Sequence, residues 1–201
     1  MMKVSKDYTY KILPTHNLSL GKLSFAEIQS NHLERIRRWR NAQMKILRQT
    51  KEISQQEQKS YFRDRVFSEL VSDCPKQILV GIEWNEKFVG YGGFVHIDWN
   101  ARKAEVSFLL DTKIEEGSQL FVDIFSCYLQ LVQIAAFEKL ELNRISTETY
   151  SFRTSVISTL NANGFLLEGT LRETYFWEGR FFNSLIHSKL IPKDRNPHRH
   201  G

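Results

Sequence analysis

The sequence predicts an α+β fold: a single domain whose mixed, mostly antiparallel central sheet is flanked by helices on both faces. Three observations carry that prediction. "KQILVGIEW" and "KFVGYGGFVHIDW" read as strands joined by a tight turn at Asn85 and Glu86, and "RKAEVSFLL" follows as a third antiparallel neighbour. Next, "SQLFVDIFSCYLQLVQIAAFEKL" places Leu120, Ile124, Tyr128, Leu131 and Ala135 at steps of three and four, which predicts a long helix. Finally, the chain has 201 residues and no repeat or Pro/Gly/Ser-rich linker, enough for one sizeable domain and short for two.

The remaining elements follow in order. "LSLGKLSF" alternates like a strand, and "NHLERIRRWRN" puts Leu33, Ile36 and Trp39 at helical spacing. "ISQQEQKSYFRDRVFSEL" opens on Ser54 with Glu57 three residues later, a capping box that starts a second helix. After the long helix come a strand, "NRISTETY", and a short helix, "RTSVISTLNANGF", ending in a turn at Gly164. "LLEGTLRETYFWEGRFFNSLIHSKL" closes the chain as a hairpin turning at Glu178 and Gly179. The expected boundaries are an N-terminal extension over 1–17, the domain over 18–191 and a polar tail over 192–201.

Composition excludes several classes. With 41% hydrophobic, 12% aromatic and 25% charged residues, the chain has the profile of a packed domain. Its net charge of +5 is scattered, with one dense cluster at Arg35, Arg37, Arg38 and Arg40, so it suits an anionic nucleotide ligand and not nucleic acid. Cys74 and Cys127 lie far apart with no metal-type spacing, as in a reduced cytoplasmic protein. The start lacks the apolar core of a signal peptide, and no run reads as a membrane span. His198 and His200 read as part of a polar terminus, so no metal site is expected.

Four stretches in order resemble the GNAT acyltransferase superfamily, in the branch of ribosomal-protein N-terminal and amino-sugar acetyltransferases. "IRRWRN" is similar to the branch's I-R-x-W-R-N, and "AEVSFLL" to its A-E-I-G-x-x-L strand. "AAFEKLELNRISTETY" is similar to its A-F-x-x-L-x-L-N-R-I block, and "NGFLLEGTLRETYFWEGRFFNSLIHSKL" to its closing hairpin. The resemblance implies acetyl-CoA as donor, a small-molecule amine as acceptor and a homodimer, although no stretch marks an interface. It implies that the pantetheine arm lies along Phe108, Leu109 and Leu110, with the pyrophosphate at the start of the following helix.

There the chain departs from the family. Glycines let phosphate oxygens approach backbone amides at a helix start. In the stretch aligned with the family's R-x-x-G-x-G, the glycine positions hold Asp123 and Phe125 and the basic position holds Leu120. A shifted register leaves Gly117, Ser118, Gln119 and Leu120 as the substitute cradle, with Arg153, which replaces the family's Asn, as a phosphate partner. Glu115 and Glu116 would repel a pyrophosphate.

Glu105 is the expected general base, because acetyl transfer needs an amine stripped of its proton. Its structural alternative is a hydrogen bond or a pair with Arg102 or Lys103. Trp39, Arg40, Asn41 and Tyr175 are the expected acceptor-binding residues, with Trp177 beside them; core packing is the alternative for the aromatics. Leu160 stands where many relatives carry the tyrosine acid, leaving that role open. His96 is a second candidate base and Cys127 a structural thiol. The expected function is N-acetylation of a primary amine, on a nucleotide-linked amino sugar of surface-glycan biosynthesis. The alternatives are a catalytically silent GNAT-fold binding module and a protein N-terminal acetyltransferase.

Overall fold

A computed structural model describes residues 9–15 and 18–192; the tail histidines His198 and His200 lie outside the described residues. Eight strands form one sheet: β1 (Ser19–Leu20), β2 (Leu23–Ala26), β3 (Ile78–Trp84), β4 (Lys87–Asp98), β5 (Lys103–Leu110), β6 (Arg144–Tyr150), β7 (Leu166–Trp177) and β8 (Arg180–Leu190). Their spatial order is β1-β2-β3-β4-β5-β6-β8-β7. Every pairing is antiparallel except β5 with β6. The principal helices are α1 (Leu33–Ala42), α2 (Gln55–Tyr61), α3 (Gln119–Ile134) and α4 (Thr154–Ala162).

Local chemistry sets most of these boundaries. Ser54 accepts from the Glu57 N–H while Glu57 accepts from the Ser54 N–H, so α2 starts on the expected capping box. Asn85 and Glu86, at φ 48° and 63°, turn β3 into β4, and Glu178 and Gly179, at 48° and 77°, turn β7 into β8. "LSLGKLSF" is not one strand. Gly21 takes φ 59° and folds it into the hairpin β1–β2, which keeps the apolar alternation on both arms.

Two apolar clusters cover opposite faces of the sheet. One packs Ile124, Tyr128, Leu131 and Ala135 of the α3 segment against Ile78, Phe94 and Ile145; the other packs Ile36 and Trp39 of α1 against Phe88, Tyr91 and Leu109. The stripe on α3 begins at Phe121, because Leu120 is exposed. Residues Gln119–Lys139 are long and apolar enough to cross a bilayer, yet more than half of their most apolar window is buried in this core. The packed domain also takes in residues assigned above to an extension. Tyr10 and Leu13 are buried, and the Tyr10 hydroxyl accepts from the Leu79 N–H.

Candidate active site

Strands β5 and β6 pair through only three residues, Lys103, Ala104 and Glu105 with Arg144, Ile145 and Ser146, and then part. The gap opens a cleft of about 290 Å³. The Asp111 N–H donates to Val89 O, so the odd-numbered residues at this end of the chain turn their backbone groups towards β4. By strand alternation, Val106 and Phe108 turn theirs into the gap. The next even-numbered carbonyl, Leu110 O, is taken by the Gln43 side chain at 2.8 Å.

Tyr128 fixes this splayed geometry from below. Its hydroxyl accepts from the Gly93 N–H at 2.6 Å and donates to Ser107 O, standing where Gly93 and Ser107 face each other in the β4–β5 register. Burial pushes the phenol far up, so it stays a donor. Gly92 makes room for it: a Cβ there would sit 2.5 Å from the Tyr128 hydroxyl.

Glu105 sits where the two strands separate. Its side chain is 28% exposed and faces Arg48, whose guanidinium donates to Glu105 at 3.2 Å and to Glu148 at 2.5 Å. Glu105 is therefore not isolated among apolar groups, and its cation is neither Arg102 nor Lys103. His96 stands 3.9 Å away on its other side. It holds φ 52° at the break in the β4–β5 register between Val95 and Asp98, and this turns its ring outward. Tyr150 adds an aromatic wall, stacked at 4.1 Å on Tyr175, which in turn stacks at 6.2 Å on Trp177. Partial burial pushes the Tyr150 hydroxyl up, against the pull of Arg48.

The opposite side of the gap is apolar, lined by Phe108, Phe125, Leu129, Val156 and Leu160. Phe125 stacks on Phe108 with centroids 4.5 Å apart and forms a wall of the cleft without closing it. At its mouth lies Arg153, already committed: it donates to Glu116 at 2.9 and 3.1 Å. Ser118 caps α3 by accepting from the Phe121 N–H, and Gln119 donates to Asp123. Gly117 takes φ 90° at the turn into that helix.

The expected residues thus divide. Glu105, Phe108, Arg40 and Arg153 line the cleft, whereas Gly117, Ser118, Gln119 and Leu120 are not part of its wall. Leu109 turns into the α1 cluster and Leu110 into the α3 cluster, because alternate strand positions face opposite layers. Trp39 is core, stacked on Phe88. Asn41 ties down the loop after α1, donating to Ile53 O and accepting from Ile53 N–H and Gln49, and is not part of the cleft wall. Tyr175 belongs to the aromatic wall, and its hydroxyl donates to Lys45 O. Cys127 is half-buried on α3, with its thiol pushed up by burial. Arg48, Glu148 and Tyr150 were not singled out from the sequence. The alternation of Glu148 and Tyr150 in "STETY" places both on one face of β6 and was the available signal.

The backbone fits the pantetheine part of coenzyme A, since Val106 and Phe108 offer unpaired strand groups to its amides. The phosphate end fits less well, with Arg153 held by a carboxylate and no glycine loop. Comparison with known proteins agrees on the fold. Similar solved structures include spermidine N-acetyltransferase from Vibrio cholerae in complex with CoA and spermine, at 16% identity and TM-score 0.71, covering 84% of this chain and 95% of that one. The ribosomal L7/L12 α-N-protein acetyltransferase RimL, in complex with coenzyme A, shares 15% identity at TM-score 0.72, with 87% and 97% covered. No curated protein sequence matches. Residues 26–186 match the family model of the acetyltransferase (GNAT) domain, and with the cleft between β5 and β6 this establishes that the chain belongs to the GNAT family of acyl-CoA-dependent N-acetyltransferases.

Proposed function

We propose that the chain transfers an acetyl group from acetyl-CoA directly to the primary amine of a nucleotide-linked amino sugar of surface-glycan biosynthesis, with Glu105 as general base. The observation that carries the reading is the position of Glu105, at the point where β5 leaves β6 and its backbone opens to the cleft. Bound acetyl-CoA supplies the acyl group as a thioester. Val106 and Phe108 hold the pantetheine amides by their free backbone groups, and Phe125, Leu129 and Leu160 keep water from that side. Glu105 takes the proton from the incoming ammonium, directly or through one water, so that the nitrogen lone pair attacks the thioester carbonyl. The carbon–sulfur bond breaks, and coenzyme A leaves as a thiolate that takes its proton from solvent. Tyr150 and Tyr175 offer flat faces to a sugar ring.

The test is mass spectrometry of acetylated product over a panel of amines, beside calorimetric titration with acetyl-CoA. Glu105→Gln is expected to lower turnover by about 10²–10⁴-fold without changing the acetyl-CoA dissociation constant. Full activity in that variant would remove Glu105 as base. A protein that binds no acetyl-CoA would overturn the whole reading.

One observation favours a second acceptor. Glu105 and Glu148 hold a guanidinium between them, and the same place suits a polyamine ammonium, the substrate type named for the spermidine enzyme. Acetylation of spermidine in preference to every amino sugar in the panel would decide for it.

A further inference from the structure

We infer that the groove on the far side of His96 from Glu105 holds an anionic phosphate group carried by the acceptor. The inference rests on the amine-acetylation reading and deepens it, by naming what the rest of the acceptor must look like. The groove is an open depression of about 720 Å³ and shares Val95 and His96 with the active-site cleft. That volume lies within the ~300–1,000 Å³ typical of small-ligand sites. An acceptor with its amine at Glu105 therefore continues past the His96 ring into this second space.

The lining has the chemistry of an anion site. Arg65 and Lys76 both border the groove, and among the described residues neither side chain is in an ion pair. Nearby cations are neutralised: Arg63 by Asp64 and Lys51 by Glu57. One acid, Glu69, also borders the groove, and its carboxylate is engaged by the Lys76 backbone N–H at 3.0 Å. Two cations outside any ion pair against one bonded carboxylate leave the groove positive.

The groove is also braced. The Tyr61 hydroxyl donates to Gln77 Oε1 at 2.9 Å, and Gln77 Nε2 donates to Arg65 O at 2.8 Å. These bonds tie the end of α2, the helical turn after it and the approach to β3 into one wall. Tyr61 remains 41% exposed and offers a stacking face beside the cations. Two cations around a flat ring suit a phosphorylated or nucleotide-linked amine. A bare polyamine would be repelled there.

Two measurements test this. In the first, acetylation of a nucleotide-linked amino sugar and of the same amino sugar without phosphate is compared in the wild type and in the Arg65→Ala/Lys76→Ala double variant. Both residues are exposed, so the fold should survive their truncation. Losing charged hydrogen bonds to phosphate should raise KM for the phosphorylated acceptor by about 10–100-fold, with kcat and the unphosphorylated acceptor unaffected. In the second, uridine diphosphate is titrated calorimetrically into both proteins with coenzyme A present. Binding to the wild type, lost in the variant, is expected. Equal shifts for both acceptors, or uridine diphosphate binding indifferent to Arg65 and Lys76, would overturn the inference and leave amine acetylation standing. Diphosphate binding that depends on both residues in a protein that acetylates no amine would support the site and overturn the functional reading instead.

Discussion

Arg48 bridges Glu105 and Glu148, with one guanidinium nitrogen 3.2 Å from the first carboxylate and 2.5 Å from the second. These residues come from the loop after α1 and from two strands that part at this point, so the pair of acids faces the cleft with a cation already between them. An acceptor arriving as an ammonium must displace that cation or share its acids. Arg48→Ala is therefore expected to lower KM for a cationic amine several-fold, as measured by initial rates over a range of acceptor concentrations. A fall in kcat with KM unchanged would show instead that Arg48 positions Glu105 for proton transfer.

At the other mouth the pattern repeats, with Arg153 held by Glu116 through three hydrogen bonds that reach both carboxylate oxygens. Arg153 is the cation nearest the expected phosphate end of coenzyme A, and Glu116 competes for it. Glu116→Gln is expected to tighten acetyl-CoA binding by about 3–10-fold, the scale of one modest ion pair, whereas Arg153→Ala weakens it. Calorimetric titration of both variants checks this. Unchanged binding in both would show that the phosphates are held elsewhere.

What the sequence disclosed divides by range. Ser54 and Glu57 act over three residues, and Asn85 with Glu86 closes a hairpin locally, so both were readable as spacing alone. "LSLGKLSF" misled because a two-residue turn preserves the alternation of apolar residues across it; the left-handed Gly21 was the overlooked signal. At the site, Glu105 was legible as an acid in a strand motif, but its partner Arg48 is 57 residues away and Arg48 in turn meets Glu148 across 100. No periodicity reports such pairs. Asn41 shows the limit of a motif. Its motif resemblance drew it towards the acceptor, while its three hydrogen bonds show it holding Ile53 and Gln49 in place.

Tyr128 supports the site without touching the cleft. Its hydroxyl satisfies one buried N–H and one carbonyl in the strand pair beside Glu105. Tyr128→Phe keeps the ring and strands both groups, at a cost of about 2–4 kcal/mol. For a chain of this size that corresponds to a fall in Tm of ~5–15 °C. Thermal unfolding followed by circular dichroism measures it. An unchanged Tm would mean that Gly93 and Ser107 close directly onto each other when the hydroxyl is gone.

His187 sets an expectation for pH. It lies buried on β8, with Nδ1 lacking any hydrogen-bond partner, and burial lowers its pKa below the ordinary 6.5. The folded state therefore prefers the neutral ring, while the unfolded chain takes up its proton near pH 6.5. Below that pH the unfolded state binds more protons, so stability is complete above about 6.5 and declines as pH falls towards the depressed folded value. One proton taken up on unfolding tilts stability by at most ~1.4 kcal/mol per pH unit. His32 is shifted the same way, by its own burial first and then by Arg35, so it contributes to the same slope. Urea unfolding at pH 7.5 and pH 5.5 should show the wild type losing stability on acidification and His187→Leu losing less. Identical losses in the two proteins would place the pH dependence on His32 and leave His187 a spectator.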